Sequence, residues 1–188
     1  MALAWLVGTG VCAAEPMTAL ERQRLVSHLE MTASWFTDEV SRLSPAQLAF
    51  RPAPESWTIL EVIDHLVVVG PIYWQDLQNA LKSPPGRKTT TTDANMLWYG
   101  IDRTNREKAI PSEIPKGLRD LKAGLDAYRK QQARLLQYVR TTDDDLRGHY
   151  VERQGSDAYQ WVLLISTHEQ RHILQIREIK ADSRFPAK

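Results

Sequence analysis

The run Ser156-Asp157-Ala158-Tyr159-Gln160-Trp161-Val162-Leu163-Leu164-Ile165-Ser166-Thr167-His168-Glu169-Gln170-Arg171-His172-Ile173-Leu174-Gln175 decides the architecture of this chain. Trp161, Ile165, His168, His172, Gln175 and, one turn on, Ile179 recur in alternating steps of four and three, the spacing of one face of an α-helix. The pattern predicts a helix from Ser156 to about Ala181, with two histidines on the seam that meets its neighbours.

Upstream, a short polar link from Thr141 to Gly155 joins this helix to another predicted from about Lys116 to Arg140. Its seam is Leu118, Leu121, Leu125, Tyr128, Gln132, Leu135 and Val139, apolar or aromatic except at Gln132. Thr58-Ile59-Leu60-Glu61 has capping-box form and opens a helix expected to reach about Lys82, with a kink at Pro71. Thr18-Ala19-Leu20-Glu21 has the same form and starts the first long helix, whose stripe is Val26, Leu29, Ala33, Phe36, Val40 and Leu43. That helix ends at Ser44-Pro45, where a further turn begins before Arg51-Pro52-Ala53-Pro54 breaks it.

Between Ser83 and Pro115 lie Pro-Pro-Gly, a threonine tract and scattered charge. Structureless connections beyond about 12–15 residues are uncommon in compact domains unless functional or disordered. The segment is read as a crossover, with a short turn around Asn95 to Gly100. Four stripes with matching spacing then predict an all-α fold, a four-helix bundle with a long crossover between its second and third long helices. No internal repeat, extended coiled coil or alternating strand pattern is evident.

The chain has 188 residues, the size of one domain, and 43% hydrophobic with 25% charged residues is the composition of a packed globular protein. Lysine and arginine number 24 against 23 acids, leaving a net charge of +1 and no field to gather nucleic acid. The single cysteine, Cys12, excludes a disulfide framework and a paired-cysteine metal site. Residues 1–14 are apolar, too short to span a bilayer, and end in small residues before Glu15 and Pro16. They read as a signal peptide lacking the usual basic start, cut after Ala13 or Ala14, which leaves 15–188 as a single exported domain, periplasmic or secreted. Unprocessed, the protein would be cytoplasmic. No later segment has the 18 or so apolar residues of a membrane span.

His168 and His172 stand four residues apart, about 40° around a helix and about 6 Å along it, and so project from one face. His65 occupies the same kind of position in the series Val62, His65, Val69 and Ile72. Unpaired imidazoles at seam positions would be desolvated at a cost, and a shared divalent cation is the simplest compensation. Neutral imidazole suits zinc, nickel, iron or copper. Three such ligands leave a coordination position open, as catalytic sites do, and bring no charge to offset the ion.

Two segments also resemble the DinB family, a DinB/YfiT-like group of metal-dependent hydrolases and transferases. One is Ser56-Trp57-Thr58-Ile59-Leu60-Glu61-Val62-Ile63-Asp64-His65-Leu66, preceded by Arg51-Pro52; the other is His168-Glu169-Gln170-Arg171-His172-Ile173-Leu174-Gln175. With the helix order, the resemblance covers about residues 18–182. It implies a four-helix bundle in which His65, His168 and His172 bind one divalent metal ion, zinc or nickel ahead of iron or manganese. The implied activity is group transfer of the thiol S-transferase kind, or hydrolysis, on a small molecule. The alternative is an exported metal- or ligand-binding protein without turnover. A homodimer is allowed; nucleic acid and an integral membrane segment are not expected.

Gln175, Glu61 and Gln132 are candidates for an outer layer around the metal, each with a plainer reading. Gln175 is one turn from His172 but could be solvated. Glu61 is one turn from His65 but is already accounted for by its cap. Gln132 interrupts an apolar seam, or reaches out at the bundle end. Trp57 reads as an N-terminal staple, His149 and Tyr150 as surface, and His28 as uninvolved. No proton-transfer residue can be assigned. The absence of a phosphate loop, a Gly-x-Ser-x-Gly elbow and a cysteine nucleophile leaves metal chemistry as the leading reading.

Overall fold

A computed structural model describes residues 15–187, so the signal-peptide reading of residues 1–14 lies outside the described residues. Among the described residues the order is α1 (Ala19–Val40), α2 (Pro45–Ala49), α3 (Ile59–Lys82), α4 (Asp93–Ile101), α5 (Leu121–Thr141), strand β1 (Tyr150–Val151), strand β2 (Ser156–Asp157) and α6 (Ala158–Lys180). No described helix is long and apolar enough to cross a membrane.

The starts are set by short polar side chains that satisfy the first free amides of each helix. Thr18 with Glu21, Ser44 with Gln47, Thr58 with Glu61 and Asp157 with Gln160 all close both halves of a capping box. The third long helix begins at Leu121, capped by Asp120, and not at the expected Lys116. The reason is tertiary: the amides of Lys116, Gly117 and Leu118 all donate to Asp64 Oδ2 on α3, at 2.6, 2.6 and 2.9 Å, so these residues wrap a carboxylate and do not wind. Gly117 provides the left-handed backbone that this wrapping requires, at φ 95°.

The long helices α1, α3, α5 and α6 form the four-helix bundle. α1 and α3 each pack on both α5 and α6, which sets α1 opposite α3 and α5 opposite α6 across the diagonals. The long crossover contains a full helix, α4, where only a turn was expected, and α4 packs along α6. With α1, α3 and α4 around it, α6 is buried on all sides from Ala158 to Glu169. Before α6, a pair of two-residue antiparallel strands matches Tyr150 with Asp157 and Val151 with Ser156, too short for any alternation to show in the sequence.

The stripe of α1 differs in detail. Leu25 and Thr32 are buried where Val26 and Ala33 were expected, because α6 offers Thr32 a polar partner, Ser166, at 2.7 Å. α3 runs through Pro71 as one element. Proline leaves the Val67 carbonyl without its helical donor, and Gln131 Nε2 on α5 replaces it at 2.9 Å. Gly70 makes room: a Cβ there would stand 2.2 Å from Gln131 Oε1.

The crossover is tied down by arginines. Arg147 bonds Glu21 on α1, Asp93 on α4 and Asp157 at the start of α6. Arg171, buried between the two histidines of α6, donates to the carbonyls of Tyr99, Asp102 and Asn105 and so closes the C-terminal end of α4.

Candidate metal centre

His65 comes from the second turn of α3, and His168 and His172 from consecutive turns of α6. The α3–α6 contact brings the rings together with exposures of 3, 7 and 8%. Nε2 of His168 lies 3.3 Å from Nε2 of His65 and 3.1 Å from Nε2 of His172. Two nitrogens bound at 2.0–2.1 Å to a tetrahedral ion stand about 3.3 Å apart, so the donor set fits zinc or an ion of similar radius.

The tautomers follow from the outer contacts. His65 Nδ1 donates to the Glu113 carbonyl at 2.7 Å, and His172 Nδ1 to Gln175 Oε1 at 2.7 Å. An oxygen that can only accept puts the proton on Nδ1, which turns the Nε2 lone pair inward. Several lone pairs at about hydrogen-bond distance require a shared cation or proton. Without an ion, a neutral His168 can supply that proton from Nε2, whereas a further proton, making an imidazolium, is disfavoured. Burial, then the neighbouring His65, Arg171 and Arg153, pushes His168 down to about 3. Burial, followed by the other two imidazoles, holds His172 well below its ordinary value. Burial likewise lowers His65, against the pull of Glu113 and Asp64.

Trp57 forms one wall, its ring 4.9 Å from that of His65 and stacked at 6.4 Å and 19° on that of His172. It thus acts on the site and not only as a helix-start staple. Tyr73 forms another wall, 5.4 Å from His168. Burial raises its phenol well above the usual range, and Arg153 lies over its ring at 5.1 Å. Tyr99 is pushed up to about 12, mainly by burial and then by Glu107.

Among the expected outer residues, Gln175 meets His172. Glu61 does not reach His65; its carboxylate holds the Thr58 amide and Arg51 at 2.7 Å each. Gln132 points inward but binds Glu169, which also accepts from Tyr128 at 3.0 Å. Burial raises the Glu169 carboxyl to about 8. His28 is half-buried, with Nδ1 2.7 Å from Ser166 Oγ, and His149 Nδ1 reaches the Ala80 carbonyl at 3.1 Å; neither touches the cluster.

Sequence reasoning missed Asp64 and Glu113. Asp64 fixes the end of the crossover, and Glu113, three residues before that end, gives its carbonyl to His65 and its side chain to Arg153. Asp64 left a signal, a carboxylate within Val62-Ile63-Asp64-His65-Leu66. Glu113 left none, because its contact with His65 is through the backbone.

The chain is 28% identical over 148 residues to the uncharacterized protein YuaE of Bacillus subtilis strain 168, covering 76% of this chain and 89% of that one. Its fold is similar to that of YfiT from Bacillus subtilis, a structure described as a probable metal-dependent hydrolase with an unusual four-helix bundle topology. The TM-score is 0.59 at 17% identity, covering 87% of this chain and 88% of the other. Residues 28–176, which carry all three clustered histidines, match the DinB superfamily, and the chain belongs to that superfamily.

Proposed function

We propose that the protein is a metal-dependent enzyme that acts on a small molecule by group transfer or hydrolysis at a divalent ion held by His65, His168 and His172. The observation that carries this reading is the convergence of three buried Nε2 atoms, two of them fixed as acceptors by the contacts of Nδ1. An ion with three neutral ligands keeps its positive charge and supplies Lewis acidity or an acidified water. The protein's own residues exclude solvent with Trp57 and Tyr73 and hold the imidazoles in one tautomer through Glu113 and Gln175. The description of YfiT as a probable metal-dependent hydrolase supports the same class. Zinc or nickel suits the donor set better than the harder manganese.

A second reading, metal or ligand binding without turnover, is favoured by the carboxylates around the site. Asp64 is taken by three amides and Glu113 by Arg153, so neither is free to move a proton. Residues 1–14 are proposed to direct export, which mass spectrometry of the protein from its host would test. The deciding experiment is metal analysis of untagged protein, followed by cobalt substitution and titration with a thiol and with azide. A spectrum that changes with added ligand supports an open catalytic position; an unresponsive one removes the enzyme reading.

A further inference from the structure

A cavity of about 80 Å³ lies between α3 and α5 and ends on α6. Leu66, Val69, Leu135 and Ile165 give it an apolar wall, and of the clustered histidines only His168 borders it. His168 turns Nε2 toward the other two rings, so Nδ1 points away from them. His65 and His172 each give Nδ1 to a protein oxygen, whereas His168 Nδ1 has no hydrogen-bond partner among the described residues. Yet His168 is more than nine-tenths buried. Its Nδ1 is not sealed off either, since Ser156 Oγ is the one fully enclosed side-chain polar atom without a partner among the described residues.

With Nε2 occupied by a metal, Nδ1 carries a proton and needs an acceptor. None of the polar groups along the cavity bonds His168 Nδ1, and the Tyr73 hydroxyl and the side-chain oxygens of Gln131 and Gln132 have no partner among the described residues. Glu169 is engaged by Tyr128 and Gln132, Gln131 by the Val67 carbonyl, and the Arg134 guanidinium by the Trp74 ring at 4.0 Å. We infer that this cavity is a ligand site behind the histidine cluster, taking the neutral, apolar end of a small molecule through a carbonyl-type acceptor bonded to His168 Nδ1. The occupant supplies for His168 the outer partner that the protein itself supplies for His65 and His172. Ligand binding is thereby coupled to metal binding; that coupling rests on the proposed metal, whereas occupancy of the cavity does not. An anion is disfavoured by desolvation against the apolar wall, and a cation offers His168 no acceptor. The cavity is about half the 150 Å³ that accepts benzene in a well-studied apolar hole, so the buried end has on the order of four to six heavy atoms. The rest leaves past Arg134, which is exposed at the rim.

The test is titration of the zinc-loaded protein with cyclopentanone, and with cyclopentane as the same shape without an acceptor, read from the nitrogen shifts of the histidine rings. Cyclopentanone is expected to give a saturable shift largest at His168 Nδ1, with contacts from its protons to the methyls of Leu66 and Val69. Cyclopentane should bind roughly tenfold more weakly, the effect of one hydrogen bond of about 1.4 kcal/mol. Leu135→Trp, which fills the cavity, should remove the response; the wild-type methyl contacts decide the matter independently of whether that variant folds. The inference is overturned if nothing saturates by about 50 mM, a generous limit for a ligand of this size. It is also overturned if the two compounds bind alike, or if the shifts centre on His65 and His172, which would put the ketone on the ion. Zinc binding without a cyclopentanone response sinks this inference alone. A cyclopentanone response in protein that holds no zinc sinks the proposed function and leaves the cavity site standing.

Discussion

His65 Nδ1 donates to the backbone carbonyl of Glu113 at 2.7 Å, so the end of the crossover sets the tautomer of a histidine 48 residues earlier in the chain. The neighbouring Asp64 holds the same crossover through the amides of residues 116–118. The loop between the second and third long helices is therefore part of the site.

The first expectation concerns metal content. Purified protein should carry about one divalent ion per chain, and His65→Ala, His168→Ala and His172→Ala should each remove it, since a catalytic ion depends on all of its few protein ligands. Elemental analysis measures this. Full metal content in His65→Ala would show that the pair on α6 suffices, and the three-histidine site would be wrong.

Asp64→Asn should weaken metal binding without touching a ligand. An amide oxygen is a poorer acceptor for three amides than a carboxylate, so the crossover loosens and the Glu113 carbonyl drifts from His65. Loss of an outer partner of a ligating histidine typically costs about 10–100-fold in affinity. Competition with a chelator reads the change, with circular dichroism showing unchanged helix content. Unaltered affinity would reduce Asp64 to a loop anchor.

The stability of the metal-free protein should fall on both sides of a maximum near neutrality. Burial lowers His65, His168, His172 and His28 from 6.5, so the unfolded chain binds more protons than the folded one below that value, and stability is lost on acidification. Glu169 has the opposite sign. Its carboxyl is raised from 4.5 to about 8, so the folded state retains a proton the unfolded state has released, and stability falls as pH rises toward 8. Melting curves from pH 5 to 9 should show both limbs, and Glu169→Gln should flatten the alkaline one. A bound ion should oppose the acid limb, because it competes with protons for the imidazoles. An alkaline limb unchanged in Glu169→Gln would mean another group is responsible.

Gly70→Ala should destabilise even though alanine favours a helix by about 1 kcal/mol. Its Cβ displaces Gln131 and strips the Val67 carbonyl of the donor that Pro71 cannot provide, at a cost of about 1–3 kcal/mol. In a Gln131→Ala background the same change should stabilise by about 1 kcal/mol, since only helix propensity remains. A double-mutant cycle by urea unfolding tests the reversal of sign. If both backgrounds respond alike, Gln131 does not replace the lost donor.

Chelation should lower the melting temperature and leave the helices intact. The core from Leu25 and Phe36 on α1 to Trp161 and Ile176 on α6 is continuous without an ion, unlike that of small zinc modules. The loss should follow the binding energy forfeited by the folded state. Helices that melt on chelation would make the site structural.

The sequence by itself determined the long helices and the placement of His65, His168 and His172 on inward faces, because caps and a period of 3.6 are local properties of the chain. It also carried the resemblance by which the chain was placed in its family. Only the tertiary structure decided where the third long helix starts, why Thr32 is buried, and that Glu113 and Trp57 serve the site. These depend on contacts between segments far apart in sequence: a carboxylate on α3 unwinds residues 116–118, and a backbone carbonyl of no particular residue type orients His65. The cavity beside His168, whose Nδ1 has no partner among the described residues, is likewise a property of packed helices, and no single helix face encodes it.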